Sequence, residues 1–127
     1  MAIVGAGPCG LAAAIAAQRA GLRAVVYDRG PIVAGLANYP TYMTFFSTAE
    51  RLSIGGVPFI VATERPTRRD ALAYYRGVAT LHDLDVRQFE TVDAVRPVRL
   101  DPSAAATTDD ASALDAAVVR GRPARWL

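Results

Sequence analysis

Six residues near the start of the chain, Gly5-Ala6-Gly7-Pro8-Cys9-Gly10, have the types and spacing to hold a phosphate. They follow a short apolar stretch, Ala2-Ile3-Val4, and precede an apolar run that begins at Leu11. Strand, G-x-G-x-x-G turn and helix in that order seat a dinucleotide pyrophosphate. In this reading Gly5 makes the tight turn, Gly7 lets backbone approach the phosphates, and Gly10 lets the helix lie close on the strand. Pro8 and Cys9 complete the turn. Free amides at the helix start then face the anion, and the helix dipole favours its charge. A second apolar run, Leu22 to Tyr27, ends at Asp28, about 20 residues after the first glycine, where a carboxylate accepts from ribose hydroxyls. An acid there disfavours a 2′-phosphate, so the site is expected to hold FAD or NAD rather than NADP. Arg29, beside it, either reaches the adenosine phosphate or ribose or is an ordinary exposed arginine.

Cys9 carries the remaining chemistry. A helix N-terminus favours a thiolate, whereas a pyrophosphate in the same turn opposes it. Two readings therefore stand, a redox thiol and a small apolar residue in a slot that alanine also fits. With one Cys and one His there is no metal-ligand set and no catalytic triad. A single cysteine forms no internal disulfide, which fits a reducing, cytoplasmic setting.

The elements that position these residues read as a compact βαβ start. The helix from Leu11 to Ala20 is apolar nearly all round and is expected to be buried, with Arg19 at its C-terminal end and Gly21 as a left-handed cap. From Arg29 to Phe59 periodicity is lost, and the stretch is expected to form a cofactor-covering loop, with one helical turn after Ser47 capped by Ser47 and Glu50. Tyr42, Phe45 and Phe46 either wall the site or anchor this loop, anchoring being the simpler reading. Thr67 and Asp70 mark the start of a second helix that runs to about His82, with Ala71, Leu72, Tyr75, Val78 and Ala79 on one face. His82 itself reads as solvated. Strands follow at Val86 to Phe89 and from Val92 to Leu100, the latter interrupted by Pro97. Residues 101–113 read as a linker-like loop, and 116–127 as a hairpin turning at Arg120-Gly121-Arg122.

Composition agrees with a buried α/β domain: 52% of residues are hydrophobic and the mean hydropathy is +0.20. The 14 basic residues are all arginine and are interspersed with 12 acids, so no nucleic-acid partner is expected. Residues 1–17 are uncharged but are broken by three glycines and a proline, and they fall short of the roughly 20 apolar residues of a membrane span.

Three stretches together resemble the bacillithiol disulfide reductase family, relatives of the thioredoxin reductases. They are the glycine turn with its Cys9, then Asn38-Tyr39-Pro40-Thr41, then Thr44-Phe45-Phe46-Ser47-Thr48 followed by Glu50-Arg51-Leu52 and Gly55-Gly56-Val57-Pro58-Phe59. The resemblance covers nearly all of residues 1–96. It implies a Rossmann-like, doubly wound FAD/NAD(P)-binding fold, of which residues 1–127 are the first segment of the FAD domain, with the NADPH domain and the returning FAD segment outside them. It further implies hydride transfer from NADPH through FAD to bacillithiol disulfide or a similar small disulfide. Asn38 would contact the flavin, although an Asn before Tyr-Pro is equally good turn chemistry; the backbone at Val92 would recognise adenine while its side chain reads as core, and Cys9 would be the redox thiol. An FAD-dependent monooxygenase-like protein shares the glycine turn and the acid, and a truncated nucleotide-binding fragment without activity is a third reading. A homo-oligomer is left open.

Overall fold

Pro8, rather than Leu11, opens the first helix. The computed structural model describes residues 1–96 and the strand Val118–Arg120. In it β1 (Ala2–Val4) runs through the glycine turn into α1 (Pro8–Arg19), and Gly7 is the N-cap. The earlier start is physical: proline's fixed φ suits the first helical position, where its missing N–H is no loss. At the other end the amide of Leu22 donates to Ala17 O and that of Gly21 to Gln18 O, both at 2.9 Å, while Gly21 adopts φ +73°. This is the left-handed cap expected there, in its two-bond form. The helix is not buried all round. Leu11, Ala14, Ile15 and Ala17 are buried, but Ala13 and Ala16 face outward, which alanine tolerates because it exposes little apolar surface.

The second strand, β2 (Val25–Asp28), is shorter than the apolar run from Leu22 and takes the centre of a parallel sheet ordered β1-β2-β3, where β3 is Val86–Gln88. Ile3 pairs with Val26, and Val26 with Val86. Right-handed crossovers in that order place α1 and the helix leading to β3 on one face of the sheet. Ala6, Ala14 and Val26 are packed together where α1 meets the sheet, with Ile3, Leu84 and Val86 around them.

The stretch from Arg29 to Phe59 is more ordered than its lack of periodicity indicates. It contains two four-residue helices, α2 (Ala34–Ala37) and α3 (Ala49–Leu52). Thr48, not Ser47, is the N-cap of α3, and no side chain caps it. What holds the stretch in place is α4 (Arg68–Leu81). Its start matches expectation: Thr67 and Asp70 form a reciprocal capping box, with Thr67 N donating to Asp70 Oδ2 at 2.8 Å. Ala71, Tyr75, Val78 and Ala79 are buried. Tyr74 accepts from Ile54 N at 2.8 Å and donates to Val57 O at 2.7 Å, and Tyr75 donates to Leu52 O at 2.9 Å. Phe59 stacks on Tyr74 at 4.1 Å between ring centroids. Two phenols thus satisfy the backbone of a segment that has few regular partners of its own.

Of Tyr42, Phe45 and Phe46, only Phe45 packs against the core; Tyr42 and Phe46 are 96% and 94% exposed and anchor nothing among the described residues. His82 is not simply solvated. It caps α4, and its Nε2 is buried without a hydrogen-bond partner among the described residues. Strand β4 (Val92–Val95) pairs antiparallel with β5 (Val118–Arg120), so Arg120 lies in a strand rather than at a turn, and the partner of that strand is β4. The interruption at Pro97, the linker-like loop 101–113 and the second arm of the expected hairpin lie outside the described residues.

Candidate nucleotide site

The glycine turn is built by contacts that only glycine permits at two of its three positions. Gly5 has φ +100°, in the region that L side chains avoid. At Gly10 a Cβ would stand 1.8 Å from Gly5 O, so helix and turn touch backbone to backbone, as expected. Gly7 differs. Its φ −77° and ψ 178° suit any residue, and nothing lies within 4 Å of where its Cβ would be. The chain itself gives no reason for glycine at Gly7. The space there is open, so a group can approach the backbone without meeting a side chain.

The start of α1 is also left open to an anion. Gly7 offers no side-chain cap, Pro8 has no amide, and among the described residues no acceptor takes the amides of Cys9 or Gly10. With the dipole of a 12-residue helix behind them, these donors favour a negative group. Cys9 lies exposed in this first turn.

Asp28 ends β2 beside the turn. Its Oδ2 accepts from Ala6 N at 2.6 Å and its Oδ1 from Gly30 N at 2.8 Å. Each oxygen keeps a further acceptor position, so the carboxylate braces the turn and still has capacity for a ribose hydroxyl. Gly5, Asp28, Arg29 and Val92 line one cavity of about 250 Å³, together with Val4, Tyr27, Glu90 and Thr91. Four residues singled out from sequence thus meet in one cavity beside the glycine turn. Glu90 and Thr91 carried no signal in the sequence. They arrive because Glu90 N donates to Asp28 O at 2.9 Å and carries the chain past the end of β2.

Asn38 stands apart from that cavity, as the C-cap of α2. It is tied to the turn indirectly, since Val33 N, just before α2, donates to Ala6 O at 3.0 Å. Val33 was not foreseen. It is a β-branched residue at φ +55° and 1% exposed, a costly backbone state that is imposed by its surroundings. Arg68 was also missed, although its guanidinium meets α2 at the Asn38 end. A larger cavity of about 740 Å³ is lined by residues from the stretch between Thr48 and Glu64, including Glu50, Val57, Phe59 and Ile60, and lacks the residues of the glycine turn.

Comparison with known proteins gives the family and the fold. A family model described as pyridine nucleotide-disulphide oxidoreductase matches residues 2–118. Bacilliredoxin reductase Bdr of Bacillus subtilis (strain 168) is 50% identical over 76 residues, which is 60% of this chain and 24% of the relative. The bacillithiol disulfide reductase Bdr (YpdA) structure from Staphylococcus aureus superposes with a TM-score of 0.76 at 47% identity, covering 77% of this chain and 30% of that one. A flavin monooxygenase mutant from Stenotrophomonas maltophilia gives a TM-score of 0.73 at 26% identity, with the same coverage. The chain therefore spans 24% to 30% of the length of these relatives.

Proposed function

The chain belongs to the pyridine nucleotide-disulphide oxidoreductase family, and we propose that it supplies the first segment of the FAD domain of an NADPH-linked flavin disulfide reductase. The substrate proposed is bacillithiol disulfide or a similar low-molecular-weight disulfide, in keeping with what the relatives' names say of those proteins. The observation that carries the flavin part is the unexplained glycine at Gly7 over an uncapped helix start, with the Asp28 cavity beside it.

In this reading the amides of Gly7, Cys9 and Gly10 bind the pyrophosphate, and Gly5 and Gly10 give the turn its shape. Asp28 orients the adenosine ribose, Arg29 stands at the mouth of the adenosine cavity, and the backbone at Val92 meets the adenine. Asn38 faces the flavin. Cys9, exposed in the first turn of α1, is the thiol placed for exchange with a disulfide. FAD, when bound, supplies the two-electron chemistry that NADPH feeds. NADPH is assigned to a part of the protein beyond this segment, because Asp28 disfavours a 2′-phosphate here.

The likeness to a flavin monooxygenase supports a second reading, in which the reduced flavin serves oxygen instead of a disulfide. One experiment separates the two. The full-length protein, reconstituted with FAD, is given NADPH with and without bacillithiol disulfide, under air and under nitrogen. Disulfide-dependent NADPH consumption that persists under nitrogen supports the reductase. Oxygen-dependent consumption that ignores the disulfide supports the monooxygenase, and absence of FAD uptake defeats both.

A further inference from the structure

Arg68 is the first residue of α4, next to Arg69, at the end of a helix where the dipole disfavours a cation. Its side chain makes no use of that helix. Instead its Nε donates to Leu36 O at 3.2 Å and its Nη2 to Ala37 O at 2.7 Å, the last two residues of α2. Charge-assisted donors on successive carbonyls at a helix C-terminus are favourable both as hydrogen bonds and with the dipole. The residue that follows those two carbonyls is Asn38.

The other end of α2 is held with equal definition. Val33 N donates to Ala6 O within the glycine turn, and Val33 pays for that position with left-handed backbone while its side chain is buried. A four-residue helix alone is far below the length that is stable in water. This one is therefore a spacer of roughly 6 Å, at 1.5 Å per residue, pinned to the phosphate turn at its start and to Arg68 at its end. Below it, Arg68 N donates to Met43 O and Phe45 N to Pro66 O, which fastens the segment after Asn38 to the same helix start.

We infer that Arg68 is a positioning residue for the flavin end of the cofactor site: it sets the distance and direction of Asn38 from the glycine turn without touching the cofactor. This rests on the proposed flavin role of Asn38. It predicts an effect on FAD that ADP, which has the adenosine and pyrophosphate but no flavin, does not show.

The test compares FAD and ADP binding by the full-length protein as wild type, Arg68→Met, Arg68→Lys, Asn38→Ala and the Arg68→Met/Asn38→Ala double variant. Arg68→Met is expected to weaken FAD about 10-fold, the scale of lost charge-assisted hydrogen bonds, to shift the absorption of the bound flavin, and to leave ADP affinity unchanged. Arg68→Lys, with one compact donor in place of the fork, is expected to fall between and serves if Arg68→Met does not fold. The double variant should bind FAD no more weakly than the weaker single one, because both changes break the same unit. Equal loss of FAD and ADP, unaltered FAD binding, or additive effects would overturn the inference while leaving the flavin reading intact. A wild type that binds ADP but no FAD would remove both.

Discussion

Asp28 Oδ2 accepts from the amide of Ala6 at 2.6 Å, so the carboxylate proposed to meet a ribose holds the glycine turn in shape. Its second oxygen takes Gly30 N, and the next link runs from Ala6 O to Val33 N. One acid thus joins the end of β2, the phosphate turn and the entry to α2.

Asp28→Asn should therefore do more than lower cofactor affinity. The amide that replaces one oxygen turns a donor toward a backbone N–H, and leaving that group unsatisfied costs about 1–3 kcal/mol. Thermal melts without cofactor are expected to show this loss. A variant that melts like wild type and only binds FAD more weakly would mean that the brace contributes nothing.

Gly7 and Gly10 should separate cleanly. Gly10→Ala drives a Cβ into Gly5 O and is expected to destabilise the fold by about 1–3 kcal/mol or more. Gly7→Ala meets no atom of the chain and needs no unusual backbone, so its stability should stay within about 0.5 kcal/mol of wild type. Its FAD affinity should nevertheless collapse, because the methyl occupies the space proposed for the phosphate. Paired melts and FAD titrations check both halves.

Cys9→Ala should keep flavin content and lose disulfide turnover. Measured on the full-length protein, unchanged turnover would assign Cys9 to packing and move the redox chemistry elsewhere.

Stability should fall at both pH extremes for identifiable reasons. Burial, with smaller contributions from Tyr74 and Cys9, pushes the Tyr75 phenol up to about 12. The folded state holds that proton more tightly than an unfolded tyrosine near pH ~10, so its contribution is complete below pH ~10 and is lost as pH rises toward about 12. Tyr75→Phe should flatten that alkaline limb, at a cost near neutrality because Leu52 O loses its donor. On the acid side, the Thr67 hydroxyl and then the Thr67 amide hold the Asp70 carboxyl below its ordinary value. Its contribution is present above pH ~4 and is lost as pH falls below that. Melting temperature against pH for wild type, Tyr75→Phe and Asp70→Ala tests both signs.

Local rules explain which expectations succeeded. The glycine turn, the acid at the end of β2, the Schellman-type end at Gly21 and the Thr67–Asp70 box each depend on residues within a few positions, or on one strand–helix–strand unit. Their physics is short-ranged and visible in spacing. The expectations that failed depended on neighbours distant in the chain. Tyr42 and Phe46 are exposed although aromatic, and the ring of His82 packs against the Gly55 turn, where a Cβ on Gly55 would stand 3.0 Å from Nε2. The 29–59 stretch has order without periodicity because Tyr74, Tyr75 and Arg68 supply its hydrogen bonds from α4.

By itself the sequence determined the parallel α/β start, the place of the glycine turn and the acid that ends β2, because backbone conformation and helix ends restrict residue types strongly at those points. Tertiary structure alone decided that the chain requires glycine at Gly10 and leaves open space at Gly7. It also decided that Asp28 is a brace as well as an acceptor, and that Arg68 and Val33 pin the two ends of α2. The contacts of Asp28, Arg68 and Val33 cross 22 or more residues and are set by how α1, α4 and the sheet pack, and packing distances are not encoded in the spacing of any one motif.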